Sequence, residues 1–216
     1  MSRRVLAVLL LLALAAPTAH AQSYSRAGTT DVTLLGGWQY WGTKSVYGAL
    51  GYLQGDLHLN ADVNYGAEIT QHISPYKAVQ LSYTYQATDL VLQGSSAGRT
   101  LTVAPTSVQY VQAYAVRTIP KGNGLSAFVK GGLGAAVYSP ESYESVWRFS
   151  VGMGLGVEKR LNERVAVKLT QRLLFPIQYT TGGFYFGSGG SGIAVSGGST
   201  VIQGDTSLGL TFQLGR

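Results

Sequence analysis

Residues 56–70, DLHLNADVNYGAEIT, decide the fold. Leu57, Leu59, Ala61, Val63, Tyr65, Ala67 and Ile69 occupy one set of alternate positions, and His58, Asn60, Asp62, Asn64, Gly66, Glu68 and Thr70 occupy the other. Side chains on a strand point alternately to opposite faces, so the stretch reads as a ribbon with one apolar and one polar face. It is longer than the usual strand of about 5–6 residues. A strand that crosses a bilayer at a tilt needs about 9–11.

Composition narrows the class. Charged residues are 12% of the 216, against about 25% in ordinary soluble domains. Glycine (29) and tyrosine (14) are abundant and cysteine is absent, which removes disulfides, thiol chemistry, cysteine-ligated zinc and lipidation at cysteine. The formal charge is +6, falling to about +4 if Arg3 and Arg4 leave with a leader. That balance is too mild and too scattered for a nucleic-acid partner.

Residues 1–21 have the form of a secretory signal peptide: Arg3-Arg4, an apolar centre from Val5 to Ala16, then Ala19-His20-Ala21. The apolar run falls short of the roughly 20 residues of a transmembrane helix. No later segment approaches that length, so any membrane crossing must come from strands. A cleaved leader puts the mature start at Gln22, and residues 22–216 form one domain.

Working outward from 56–70, the alternation predicts seven further strands. They lie at 31–41, 77–91, within 100–117, 125–138, 146–160, 165–175 and 200–214. The facing of the strand within 100–117 stays open, because Tyr110, Gln112, Tyr114 and Val116 compete with Val111, Ala113 and Ala115. The connections alternate in length. QHISPY (71–76), PKGNG (120–124) and 161–164 read as turns, the second with glycine and asparagine to supply positive φ. Residues 42–55, 93–99, 139–145 and 176–199 read as loops. Short turns on one side and longer loops on the other are the asymmetry of outer-membrane barrels, with the turns in the periplasm and the loops outside.

Alternation alone permits an inward or an outward apolar face. A soluble calyx, the structural alternative, would cover its exterior with Lys and Glu. Here the polar sets are Gly, Ser, Thr, Asn and Gln, suited to a crowded lumen. The strand charges Asp62, Glu68, Lys130, Arg148, Glu158, Lys168, Arg172 and Asp205 all fall in them. Opposite charges in a narrow lumen are expected to pair, because isolated buried charge is costly. The expected fold is therefore an all-β, eight-stranded, antiparallel up-and-down transmembrane barrel, whose side chains fill its interior. Trp38, Tyr40, Trp147, Phe149 and Phe175 are the candidate interface aromatics.

Over 22–216 the chain resembles the small eight-stranded outer-membrane barrels, of the OmpA transmembrane domain and OmpX type. Ser207-Leu208-Gly209-Leu210-Thr211-Phe212-Gln213-Leu214 looks like their assembly signal, with Ser207, Gly209, Phe212 and Leu214 at the diagnostic positions and Gly215-Arg216 following instead of a terminal aromatic. The resemblance implies residence in the cell outer membrane. Its implied partners are outer-membrane lipids, lipopolysaccharide and the barrel-assembly machinery. No appended peptidoglycan-binding domain is expected, because the sequence ends with the last strand.

Other motifs carry little chemistry. Gly94 to Gly98 matches G-x-S-x-G without the following helix that a nucleophile elbow needs. Gly187 to Gly192 matches G-x-G-x-x-G without a βαβ context, and reads as a flexible loop. His72 is expected in a turn, and His58 on the polar face at the outer end of the second strand. Some small outer-membrane barrels modify lipid A with His, Ser and an acid, and Asp56 and His58 imitate part of that set, but the Ser-Asn pair beside such a histidine is missing. No catalytic residue, metal site or cofactor is expected. Phe184-Tyr185-Phe186, within 176–199, is a candidate contact for a surface ligand or simply packs on its own hairpin. The expected role is structural, or surface interaction through the outer loops. The alternatives are a conduit for small or apolar solutes and a lipid A-modifying enzyme.

Overall fold

A computed structural model describes residues 26–41, 44–47, 54–94, 100–141, 144–177, 184–187, 190–193 and 202–214. Strands β1 (Thr30–Trp41), β2 (Lys44–Tyr47), β3 (Gln54–Leu59), β4 (Asp62–Ser74), β5 (Lys77–Gly94) and β6 (Thr100–Gly122) make the first half. β7 (Leu125–Pro140), β8 (Val146–Arg160), β9 (Val165–Ile177), β10 (Phe184–Gly187), β11 (Gly190–Ile193) and β12 (Gln203–Leu214) make the second. β3 and β4 run in succession along β5 as one stave. Eight staves pair antiparallel with their neighbours, and β1 closes on β12, giving an eight-stranded barrel. β2 pairs with β3 beyond the outer end of β1, and β10–β11 form a separate hairpin.

The apolar face points out. Each of the eight staves exposes large apolar side chains, Leu133 at 55% and Trp147 at 67% among them. Such a continuous patch far exceeds what a water-soluble surface carries, and it fits hydrocarbon. The soluble calyx is thereby excluded. Inward positions carry Thr33, Asn64, Glu68, Gln80, Ser82, Thr84, Gln86, Lys130, Thr170 and Arg172, all buried. In β6 the open question resolves with Val108, Tyr110, Gln112 and Tyr114 inward and Val111, Ala113 and Ala115 outward.

The ribbon 56–70 is not continuous. It breaks at Asn60-Ala61, both exposed, where the Asn60 N–H donates to the Asp89 carbonyl at 3.1 Å and Thr88 Oγ1 donates to the Asn60 carbonyl at 2.7 Å. The break exchanges faces: below it Asn64 and Glu68 point inward, above it Leu59 does. On β5 Leu90, paired with Leu59 and Ala104, continues the inward series of Thr84, Gln86 and Thr88, and the register shift beside it puts an extra residue on β6. The lumen thus gains an apolar upper tier of Leu59, Val108, Tyr110, Ala136 and Leu174 that continuous alternation would not supply.

Other boundaries move too. β4 continues to Ser74, so the turn after it is only Pro75-Tyr76 and His72 lies in the strand. β6 continues to Gly122, and the tip uses Gly122, Asn123 and Gly124, all at positive φ. The span 42–55 contains β2 and the start of β3, and 176–199 contains β10 and β11, so Gly187 and Gly190 are strand residues rather than free loop. Phe184, Tyr185 and Phe186 lie on β10, paired with Ile193, Gly192 and Ser191. The leader 1–21, the serine core of the G-x-S-x-G match, and the side chains of Asp56 and His58 lie outside what is described.

Candidate functional site

The interior is the site to consider, because it decides whether anything passes. At mid-height Glu68 on β4 is its hub. Lys130 Nζ donates to Glu68 Oε1 at 2.6 Å and Lys168 Nζ to Oε2 at 2.7 Å. Gln80 Nε2 donates to Oε2 at 3.0 Å, and its own Oε1 accepts from Lys130 at 2.9 Å. Lys130 also lies 4.8 Å from the centre of the Tyr114 ring, and Lys168 the same distance from that of Phe128. Three staves far apart in sequence therefore converge on one carboxylate, whose side chain is fully buried.

One layer further out, Arg172 Nε donates to Asp205 Oδ1 at 2.8 Å and Nη1 to Ser82 Oγ at 3.2 Å. Ser207 Oγ donates to the same Asp205 oxygen at 2.7 Å, and Asn64 Nδ2 to the other. Small residues make room for these long side chains. A Cβ at Gly152 would collide with the Tyr114 ring, and one at Gly154 would press on the stems of Lys130 and Arg172. The glycines of β8 are the space into which lumen side chains of the nearby staves β6, β7 and β9 extend. Above this layer Tyr110 donates to Gln203 and shares a hydrogen bond with Tyr138 at 3.1 Å, within the apolar tier.

The turn end has a floor. The Gly28 N–H donates to the His72 carbonyl at 2.8 Å and the His72 N–H to the Thr29 carbonyl at 2.9 Å, which folds residues 26–29 beneath β4. Arg26, just before β1, reaches across to Glu158 on β8, three staves from β1 around the barrel. His72 Nε2 pairs with Asp31 Oδ2 at 2.8 Å. Between this floor and Glu68 lies a chamber lined by Asp31, Thr70, His72, Phe128, Glu158 and Lys168. Its water-accessible interior of about 20 Å³ holds one water or two. Asp31 Oδ1 is buried without a protein partner, which gives such a water something to bind.

Of the eight strand charges expected to pair across the lumen, Glu68, Lys130 and Lys168 form one cluster and Arg172 and Asp205 another. Glu158 is buried, but its partner is Arg26, which precedes β1. Asp62 and Arg148 do not join. Asp62, at the break in the stave, accepts the Val63 N–H at 2.7 Å, and Arg148, near the outer end of β8, donates to the Trp147 carbonyl at 3.2 Å. His72 is not a turn residue but a buried partner of Asp31. The clue in sequence was parity: His72 continues the inward series Glu68 and Thr70.

Trp38, Tyr40, Trp147 and Phe149 are exposed and Phe175 half-buried, all toward the loop end of their strands. Tyr40 crosses over Gly204, and its hydroxyl accepts from Gln171 Nε2 at 2.6 Å. Gln171, which interrupts the apolar set of β9, is thus satisfied on the outer face, by Tyr40 and by Thr206. Ser207 and Gly209 face the lumen while Phe212 and Leu214 face out, on the strand that closes the barrel against β1.

A closed eight-stranded barrel with a lipid-facing exterior and a filled polar interior defines a class, the small outer-membrane barrels. The family described as "Outer membrane protein beta-barrel domain" matches residues 6–187, and the chain belongs to it. It resides in the outer membrane, among that membrane's lipids. No curated protein matches. Among solved structures, Neisserial surface protein A is similar at a TM-score of 0.54 and 12% identity, covering 88% of this chain and 99% of that one. The outer membrane protein OprG from Pseudomonas aeruginosa is similar at 0.58 and 10% identity, covering 88% and 98%. At these identities the likeness concerns the fold.

Proposed function

We propose that the protein is a closed-lumen, non-catalytic outer-membrane barrel, exported by a cleaved leader at 1–21, that acts through its outer loops at the cell surface. The single observation that supports this most is the Glu68 cluster. Two lysines from separate staves lock onto one buried carboxylate at 2.6 and 2.7 Å, in a barrel already just wide enough to be filled by side chains. Residues 207–214 serve as the assembly signal, and the aromatics on β10, within the span 176–199, are the candidate contact for a surface ligand.

The test is conductance of the refolded protein in planar bilayers, with a heat-modifiable gel band as the folding control. Folded protein without discrete steps supports the closed lumen. Reproducible steps that change on Lys130→Ala or Arg172→Ala refute it.

A second reading, a conduit for apolar solutes, draws on the apolar upper tier of Leu59, Val108 and Leu174. Faster uptake of an apolar solute into vesicles containing the folded barrel, without conductance, would favour it.

A further inference from the structure

Lys77 opens β5 and stands in register with Arg117 on β6, so two cations face each other across adjacent strands. Both are on the outer face, in line with Val79 and Leu81 on one strand and Ala113 and Ala115 on the other. Like charges placed directly opposite on one face are destabilising. Neither side chain has an ion-pair or hydrogen-bond partner among the described residues. The groups around them offer no counter-charge: Ile73 and Gln71 on β4, Val129 on β7, and Ile119 further along β6. At this end of the barrel the described acids are Asp31 and Glu158, which point into the lumen, and Glu163, in the turn between β8 and β9. Tyr76, 53% exposed, lies next to Lys77 at the edge of the apolar belt. An amphipathic ring there sits at headgroup level.

We propose that Lys77 and Arg117 cradle the phosphate of a monoanionic diacyl phospholipid, of the phosphatidylglycerol class, in the leaflet at the turn end. A phosphate between them turns a repulsive pair into two charge-assisted contacts, with the guanidinium suited to grip two of its oxygens. The acyl chains then lie along Val79, Leu81, Ala113 and Ala115, which continue the outer face toward the membrane centre. With the turns in the periplasm, this is the inner leaflet of the outer membrane. The site is independent of the closed-lumen reading, since neither cation faces the interior.

Native mass spectrometry of the full barrel, released from detergent containing defined lipids, tests it. Wild type is expected to retain phosphatidylglycerol in preference to phosphatidylethanolamine, and the double variant Lys77→Gln/Arg117→Gln to lose about thirty-fold in affinity, near fivefold for each cation at a membrane surface. Lys77→Arg is expected to keep the preference. Arg164→Gln, an exposed cation at the same end but in the turn between β8 and β9, is expected to leave it unchanged. Equal retention of the two lipids by wild type, or an equal loss with Arg164→Gln, overturns the site. So does stronger retention of lipid A phosphates than of phosphatidylglycerol, which would assign the pair to the other leaflet's lipid. The substituted side chains lie on the exterior, and a retained heat-modifiable band verifies folding before each measurement.

Discussion

Glu68→Gln is the substitution that probes the interior most directly. The carboxylate accepts from Lys130 at 2.6 Å, Lys168 at 2.7 Å and Gln80 at 3.0 Å, and it is the acid bound by both lysines. The amide keeps the shape but removes the charge, and one lysine then meets an NH₂ group instead of an oxygen. Two buried ammonium groups are left without a counter-charge. Removing one partner of a buried pair costs about 3–5 kcal/mol, and the second lysine places this case at the upper end of that range. Reversible urea unfolding in lipid vesicles, followed by tryptophan fluorescence and extrapolated linearly to water, measures it. Glu68→Met/Lys130→Met/Lys168→Met removes all three charges at once and is expected to recover most of the loss, because apolar replacements of whole ion clusters are often neutral. A cost below about 1 kcal/mol for Glu68→Gln, where about 3–5 is expected for a broken buried pair, would refute the hub. A triple variant less stable than the single one would refute the charge argument even if the single cost were large.

Leu133→Arg places a cation in the middle of the lipid-facing belt and is expected to cost about 2–4 kcal/mol of unfolding free energy in the same assay; a neutral result would mean that this face does not contact hydrocarbon. Gly152→Ala is expected to cost about 1–3 kcal/mol by overpacking against the Tyr114 ring. In a Tyr114→Leu background that penalty shrinks, and a double-mutant cycle with no coupling would show that the ring is not what fills the space. Arg26→Ala releases Glu158 and loosens the floor, so amide exchange at Gly28 and His72 is expected to accelerate while Tyr110 and Tyr114 on β6 stay protected. Unchanged exchange at Gly28 would show that the floor holds without Arg26.

Strand number, antiparallel order and outward facing were legible in the sequence because lipid and lumen impose opposite demands on successive residues. Where both demands are strong, as from Val79 to Thr88 or from Trp147 to Glu158, parity fixes the face of every side chain. It fails where the lumen itself becomes apolar. Tyr110, Tyr114 and Val116 left β6 ambiguous for that reason, since an apolar or aromatic residue that faces the lumen looks like an outward one. The inversion at Asn60-Ala61 was hidden for the same reason: Leu57 and Leu59 continue the pattern of Val63 and Tyr65 in type while Leu59 points the other way. The ion pairs were legible only as a set of charges sharing a face. Which charge met which depended on the stagger between staves, and Arg26 could not be found by strand parity because it lies before β1 begins.

The two tiers together bear on what the interior can do. A hydrated ion moving in from the outer end first meets Leu59, Val108 and Leu174, where it must shed water with little in return. An apolar solute passes that layer more easily but then reaches Arg172, Asp205 and the Glu68 cluster, whose hydrogen bonds it would have to break without replacing. Beneath these, Arg26 and the 26–29 segment cover the mouth. Each layer rejects what the other admits, so no one class of solute finds a continuous favourable path along the axis. Passage down the axis is then the outcome that the layered interior disfavours for polar and apolar solutes alike.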